Sequence, residues 1–109
     1  MNILAGKSVK WSFGNGPMAG TMFEHTFHDD GSVTWTILDG PYKGATAREK
    51  TYGAVKVNES AIVLSYLAAS GHTLTVALNL EDRQMSAFAS NDKEWSEMSG
   101  TFEMTESPV

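Results

Sequence analysis

One stretch decides the fold: residues 61–80, AIVLSYLAASGHTLTVALNL. Its apolar residues alternate with smaller or polar ones, and the alternation breaks once, at Ser70-Gly71. The first half places three residues on one face: Ile62, Leu64 and Tyr66. A strict period of two, rich in β-branched side chains, predicts strands, and a Ser-Gly break between two such runs predicts a tight turn. The stretch therefore predicts a β-hairpin with one apolar face.

The same alternation recurs earlier in the chain. Three further segments each carry an apolar row: Val9, Trp11 and Phe13; Phe23, His25 and Phe27; Val33, Trp35 and Ile37. Turn signals rich in Gly, Asn and Asp separate the segments, and no helical spacing persists beyond about one turn. The sequence predicts an all-β fold, a single antiparallel calycin- or lipocalin-like β-barrel of about eight to ten strands. A two-sheet β-sandwich is the alternative, and the tail from about residue 105 is expected to fray.

Composition narrows the class of protein. With 109 residues, of which 41% are hydrophobic, residues 1–109 form a single domain with one core. The net charge is −5 and the basic residues are scattered, so we expect no nucleic-acid partner. No apolar run approaches the roughly 20 residues of a membrane helix, so we expect no membrane partner. The chain contains no cysteine, and its first residues do not resemble a signal peptide. We therefore expect a cytoplasmic location.

The apolar rows suggest a ligand pocket, because a barrel of this size can hold one small molecule in its interior. Each of these side chains could also simply fill the core. The residues predicted to contact a ligand are Trp11, Phe13, Phe23, His25, Phe27, Trp35, Tyr66 and Leu74.

Two ionisable residues are candidates for chemistry. His25 shares an apolar row with two phenylalanines, where it could carry a proton or make a core hydrogen bond. Glu49 would face inward if Ala45 and Ala47 do, and Arg48 would then face outward. An inward carboxylate could act as a general base or anchor a polar ligand group, and a place at the wet rim is the other reading.

His25 and His28 lie on opposite faces of one strand and cannot chelate one ion together. A zinc site would require His25 and His72 to meet across strands beside a carboxylate such as Glu24 or Glu49; nothing in the spacing demands this, so no metal is predicted. No cofactor is predicted either, and no nucleophile stands out.

With the strands placed, the order of motifs resembles the MoaF-like proteins. The likeness rests on GKSVKWSF, DDGSVTW, GHTLTVALNLEDRQMSAFASN and SGTFE, and it covers about residues 6–103. Members of that family are small calycin-type barrels related in architecture to lipocalins. The family is named after a protein associated with molybdenum-cofactor biosynthesis. Because none of these motifs is catalytic, the resemblance implies a fold more than a function.

A more distant resemblance is to the bacterial phenolic acid decarboxylases, through GKSVKWSF, GPYKGATAREK and VLSYLAASGHTLTVALNL. That family decarboxylates without a cofactor and carries two tyrosines, an arginine and a glutamate in its barrel. The corresponding positions here are Trp11, Phe13, Ala45 and Ala68. None of these four side chains supplies a phenol, a guanidinium or an acid. The resemblance thus implies a shared barrel without the shared reaction.

Three functions follow from these observations. The favoured one is a binding module that holds a small apolar or aromatic molecule in its interior. The alternative is a small cofactor-free lyase, isomerase or decarboxylase that uses His25 or Glu49 for proton transfer. The third is a protein-interaction module with a filled barrel. Methionines exposed on one surface patch would favour it. A homodimer would be the commonest assembly.

Overall fold

The computed structural model describes residues 3–106, which form nine β-strands. Their bounds are β1 Lys7–Phe13, β2 Met22–Phe27, β3 Val33–Asp39, β4 Thr46–Glu49, β5 Tyr52–Asn58, β6 Ala61–Leu67, β7 Thr73–Asn79, β8 Gln84–Ser90 and β9 Trp95–Glu106. The described residues include no helix that could cross a membrane. Of the tail expected to fray, Thr105 and Glu106 continue β9, and residues 107–109 lie outside the described part.

All nine strands belong to one antiparallel sheet, which confirms the all-β prediction. The strand order is β4-β3-β2-β1-β9-β8-β7-β6-β5, so strands adjacent in space are adjacent along the chain except for β1 and β9. The sheet is curled into a half-barrel, with the short β4 and β5 at its two edges. Because there is one sheet and not two, the sandwich alternative does not apply.

The hairpin predicted for residues 61–80 is confirmed as β6 and β7. Leu64 lies opposite Val76 in the ladder, and both side chains are fully buried. At the turn, Gly71 adopts φ 93°, a conformation that side chains beyond glycine rarely take, and its N–H donates to the Ala68 carbonyl at 2.9 Å. Leu67, on the opposite face of β6, is exposed. The period of two therefore separates a buried inner face from a solvent-facing outer one, as the sequence predicts.

The curl buries the inner face against itself. Phe27 on β2 meets Tyr52 on β5 across the interior, with ring centroids 4.8 Å apart. The buried apolar cluster draws on eight of the nine strands, all but β4, and on the segment before β1; its largest fully buried members include Trp11, Phe27, Leu4, Leu64 and Leu78. Burying an apolar side chain of this size stabilises a fold by about 1.5–3 kcal/mol. This cluster is the main source of the fold's stability.

The two edges of the sheet lie at a seam that backbone hydrogen bonds barely cross. β4 and β5 follow each other in the chain but share no ladder. The N–H of Tyr52, the first residue of β5, donates to the carbonyl of Gly31, in the turn between β2 and β3, at 3.1 Å. The interior side chains on either side of the seam must therefore hold the half-barrel in shape.

A close contact between the backbones of β9 and β1 gives a first prediction. Gly100 on β9 lies opposite Phe13 on β1, and a Cβ at Gly100 would overlap the carbonyl oxygen of Ser12. We expect Gly100→Ala to lower the free energy of unfolding by about 2 kcal/mol or more, because the backbone of β1 has to move. Urea denaturation measures this. The matched control is Gly53→Ala on β5, where nothing lies within 4 Å of the added Cβ; it should change stability by less than about 0.5 kcal/mol.

Candidate functional site

The inner face leaves a cavity of about 420 Å³ at one mouth of the half-barrel. It forms where the inner rows change from large to small side chains: the row of β6 passes from Tyr66 to Ala68, and the row of β8 passes from Met85 to Ala89. Turns of the chain, including Met18 and Ser70, surround its opening. The volume falls within the range of about 300–1,000 Å³ that is typical of small-molecule sites. The cavity is the candidate site.

Aromatic rings make up the floor and much of the walls of this cavity. Trp11 and His25 form the floor, stacked with ring centroids 4.0 Å apart and almost fully buried. Phe23 and Trp35 stand on the wall, half-buried, with centroids 6.1 Å apart in an edge-to-face arrangement. These partly exposed rings offer apolar surface that a ligand could cover. The pocket therefore has the composition expected for an apolar or aromatic molecule.

The structure brings seven of the eight predicted ligand-binding residues to the cavity: Trp11, Phe13, Phe23, His25, Trp35, Tyr66 and Leu74. Phe27 lies outside the lining. It packs deeper in the core, with its ring 6.3 Å from that of His25 and 4.8 Å from that of Tyr52. The alternation of β2 gives the face of Phe27 correctly, but its depth depends on the strands across the interior. Contact of the seven with a ligand stays a prediction.

His25 is sealed into the floor. Its side chain is fully buried, its Nε2 is hydrogen-bonded to the Tyr66 hydroxyl at 2.8 Å, and its Nδ1 has no partner. Burial lowers the pKa of His25 to about 3, because an imidazolium would lose its hydration there. The imidazole is therefore neutral at physiological pH.

Tyr66 joins the floor to the wall. Burial raises the pKa of its hydroxyl, and the negative charge of Glu49 raises it further, so the phenol stays protonated. Together with His25 it forms a neutral hydrogen-bonded pair between β2 and β6. This pair crosses the interior and fixes the position of both rings.

Glu49 faces inward and Arg48 outward, as the alternation of β4 predicts. The Glu49 side chain is buried but lies behind Trp35 and outside the cavity lining. One carboxylate oxygen accepts the indole N–H of Trp35 at 2.8 Å, and the other accepts the backbone N–H of Ala69 at 3.1 Å. Glu49 thus ties the wall on β3 to the turn between β6 and β7 across the seam. Both oxygens already have donors, so the carboxylate serves here as an anchor for the cavity.

Several lining residues were not predicted from the sequence: Pro17, Met18, Ile37, Ala68, Ser70, His72, Ala89, Glu94, Ser96 and Met98. The alternation that selects Trp11 and Phe13 also places Ile37, Ala89 and Met98 on the inner face, so their signal was present. The turn residues carry no such signal, because their approach to the opening depends on how the sheet curls.

The positions compared with the phenolic acid decarboxylases carry no acid or base. Trp11, Phe13 and Ala68 line the cavity, so three of the four positions do lie at the site. Ala45 is exposed beside β4 and is absent from the lining. The three positions at the cavity thus present aromatic and methyl groups, and the correspondence with the decarboxylases stays a prediction.

Other parts of the surface fit a ligand less well. A larger, more open groove of about 940 Å³ is lined mainly by turn and outer-face residues such as Asn58, Glu81 and Asp82, with no aromatic ring. Within residues 3–106, no three His, Cys, Asp or Glu side chains are grouped closely enough to hold a metal ion. The aromatic cavity is the better candidate because it is both concave and apolar.

A family model described as MoaF-like matches residues 5–103. The chain belongs to the MoaF-like family. The resemblance drawn from GKSVKWSF and the later motifs is thereby confirmed. This MoaF-like chain also superposes on the crystal structure of a "putative beta-lactamase" from Burkholderia vietnamiensis, with a TM-score of 0.78 and 18% sequence identity. The match covers 94% of this chain and 96% of the other, and at that identity it shows a shared fold alone. Among curated proteins there is no match.

The buried imidazole gives a prediction about pH. An unfolded histidine titrates near pH 6.5, whereas folded His25 titrates at about 3. Between these values the unfolded chain binds a proton that the folded chain does not, so the free energy of unfolding falls as the pH is lowered. This one group contributes a slope of up to about 1.4 kcal/mol per pH unit.

We expect His25→Gln, which keeps a polar side chain near Tyr66 but cannot titrate, to lose this contribution. The free energy of unfolding is measured by urea denaturation at several pH values between 6 and 4. Its slope against pH should be shallower in His25→Gln than in the wild type, by an amount that corresponds to up to about one proton. Equal slopes for the wild type and His25→Gln would contradict the neutral state of His25.

The Glu49 anchor gives a prediction about stability. In Glu49→Gln only one side-chain oxygen remains to accept, so the N–H of Trp35 or Ala69 loses its partner. We expect the free energy of unfolding to fall by about 1–3 kcal/mol, which tryptophan fluorescence during urea denaturation would measure. Glu24→Gln is the matched control: Glu24 lies half-buried on the outer face, 4.0 Å from the Lys10 amine, and should cost less than about 1 kcal/mol. Equal stability of the two variants would contradict the anchoring role.

Proposed function

We propose that this MoaF-like half-barrel binds a small apolar or aromatic molecule in the cavity at its mouth. The observation that carries the proposal is the cavity of about 420 Å³ with aromatic floor and walls. Half-buried Phe23, Trp35 and Leu74 leave apolar surface facing that space. Covering such surface is favourable by about 25 cal/mol per Å², which gives a ligand a driving force without any charged contact.

The enzymatic alternative has less support from the geometry. His25 is neutral, fully buried and already bonded to Tyr66. Glu49 has a donor on each oxygen and lies outside the cavity lining. A general acid or base has to come within about 3 Å of the proton that it transfers. The one unpartnered atom of the two groups, His25 Nδ1, is buried from solvent, and both Glu49 oxygens are occupied. The arrangement of both residues favours a binding site over a reacting one.

The interaction alternative rested on exposed methionines. Met98 is buried, and Met18 and Met22 are half-buried, so the methionines do not favour it. The outer face does carry an exposed aromatic pair, Phe88 and Trp95, with ring centroids 5.8 Å apart. A homodimer and a cytoplasmic location stay predictions, which analytical ultracentrifugation and imaging of the tagged chain would test.

Blocking the cavity tests the binding proposal. We expect 2-naphthalenemethanol, an uncharged two-ring probe, to bind saturably and to quench tryptophan fluorescence, because Trp11 and Trp35 line the cavity. Ala68→Phe, which adds a ring to the lining, should weaken binding at least tenfold. The control Ala77→Phe adds the same ring on the outer face of β7, where Ala77 is exposed, and should keep the wild-type affinity. Equal weakening by both variants, or binding unaffected by Ala68→Phe, would contradict this site.

A further inference from the structure

The charges around the cavity are unbalanced. Among the described residues that line it there is no lysine and no arginine. Glu94 lies at its rim and is exposed, and the Glu49 carboxylate lies directly behind the wall residue Trp35. The only ionisable nitrogen on the floor belongs to His25, which is neutral. A ligand in this space therefore meets the Glu94 carboxylate and neither lysine nor arginine. The other ionisable lining residue near the opening is His72, which is exposed and hydrogen-bonded to Ser70 and Asn91.

Tyr66 shows how this environment acts on a negative charge. Its side chain lines the cavity, and the pKa of its hydroxyl is raised chiefly by burial and further by the negative charge of Glu49. The field that disfavours a phenolate at this position also disfavours a ligand carboxylate placed against Tyr66. An anion would in addition lose its hydration without gaining a lysine or arginine partner from the lining.

His25 shows how the floor acts on a positive charge. Its pKa is lowered by burial, because the floor does not replace the water that an imidazolium would lose. The floor thus disfavours charge of either sign. The rim does offer neutral hydrogen-bonding groups, the hydroxyls of Ser70 and Ser96, which suit an alcohol or an amide on the ligand.

We propose that the cavity selects uncharged aromatic molecules and excludes aromatic carboxylates. The inference rests on the proposed function and specifies the chemical class that the same site accepts. The aromatic body lies on the floor of Trp11 and His25, and its polar group lies at the rim. Glu94 and Glu49 together make the site unfavourable for an anion, while desolvation at the floor makes it unfavourable for a cation.

Three probes that share one ring system test the selectivity: 2-naphthalenemethanol, 2-naphthylmethylammonium and 2-naphthoate. Isothermal titration of the full chain at pH 7.5 gives each dissociation constant. We expect the alcohol to bind most tightly, the carboxylate to bind at least tenfold more weakly, and the ammonium to fall between them. A carboxylate that binds within threefold of the alcohol, or an ammonium that binds more tightly than the alcohol, would overturn the inference and leave the binding function standing. If none of the three binds saturably, the proposed function itself fails.

A charge-neutral variant separates electrostatics from shape. In Glu94→Gln the rim loses its charge. The ratio of the carboxylate's dissociation constant to the alcohol's should then be about two- to fivefold smaller than in the wild type, as expected for one exposed charge. Glu97→Gln on the outer face of β9 removes the same charge away from the cavity and should leave the ratio unchanged. A ratio that is the same in Glu94→Gln as in the wild type would contradict the electrostatic origin of the selectivity.

Discussion

A single β-sheet can bury one of its faces only by bending that face around itself, and the rest of this molecule depends on that constraint. Within residues 3–106 the inner rows of Trp11, Phe27 and Leu64 have no second sheet or helix to pack against, so the nine strands curl until these side chains meet. The outer face stays in water. The curl also sets the shape of the interior, because large side chains fill it at one end and small ones leave it open at the other. The cavity is thus a product of the same packing that stabilises the fold.

Buried hydrogen bonds fix the cavity once the sheet has curled. β4 and β5 share no ladder, so the interior has to hold the edges together. Glu49 connects Trp35 to the turn at Ala69, and the His25–Tyr66 pair connects β2 to β6. A buried polar group is costly unless it has partners, and these partners come from opposite sides of the interior. The ionisable residues therefore act on the shape of the site, while aromatic rings form its surface.

Membership of the MoaF-like family and the match to a solved structure agree on the fold. Because one fold can serve many functions, the function has to be inferred from the residues of the site. The site offers aromatic surface, neutral hydrogen-bonding groups and nearby carboxylates. Such a combination is suited to holding an uncharged molecule. The two candidate acid–base residues serve the fold: His25 is fully buried and bonded to Tyr66 through Nε2, and Glu49 has a donor on each oxygen. Function and fold are linked here through the small residues Ala68 and Ala89, which leave space where larger side chains would complete the core.

The sequence by itself determined the all-β class, the hairpin at 61–80 and the face on which each inner residue lies. These properties follow from neighbours along the chain, since the period of two and the glycine turn are local. It also predicted seven residues that line the cavity, because residues from the apolar rows of β1, β2, β3, β6 and β7 were predicted together. The tertiary structure alone decided that Phe23 lies on the wall while Phe27 lies in the core, and that Glu49 bonds to Trp35 and Ala69. Alternation specifies a face but not a depth, and depth is set by side chains on strands distant in sequence that meet only when the sheet curls.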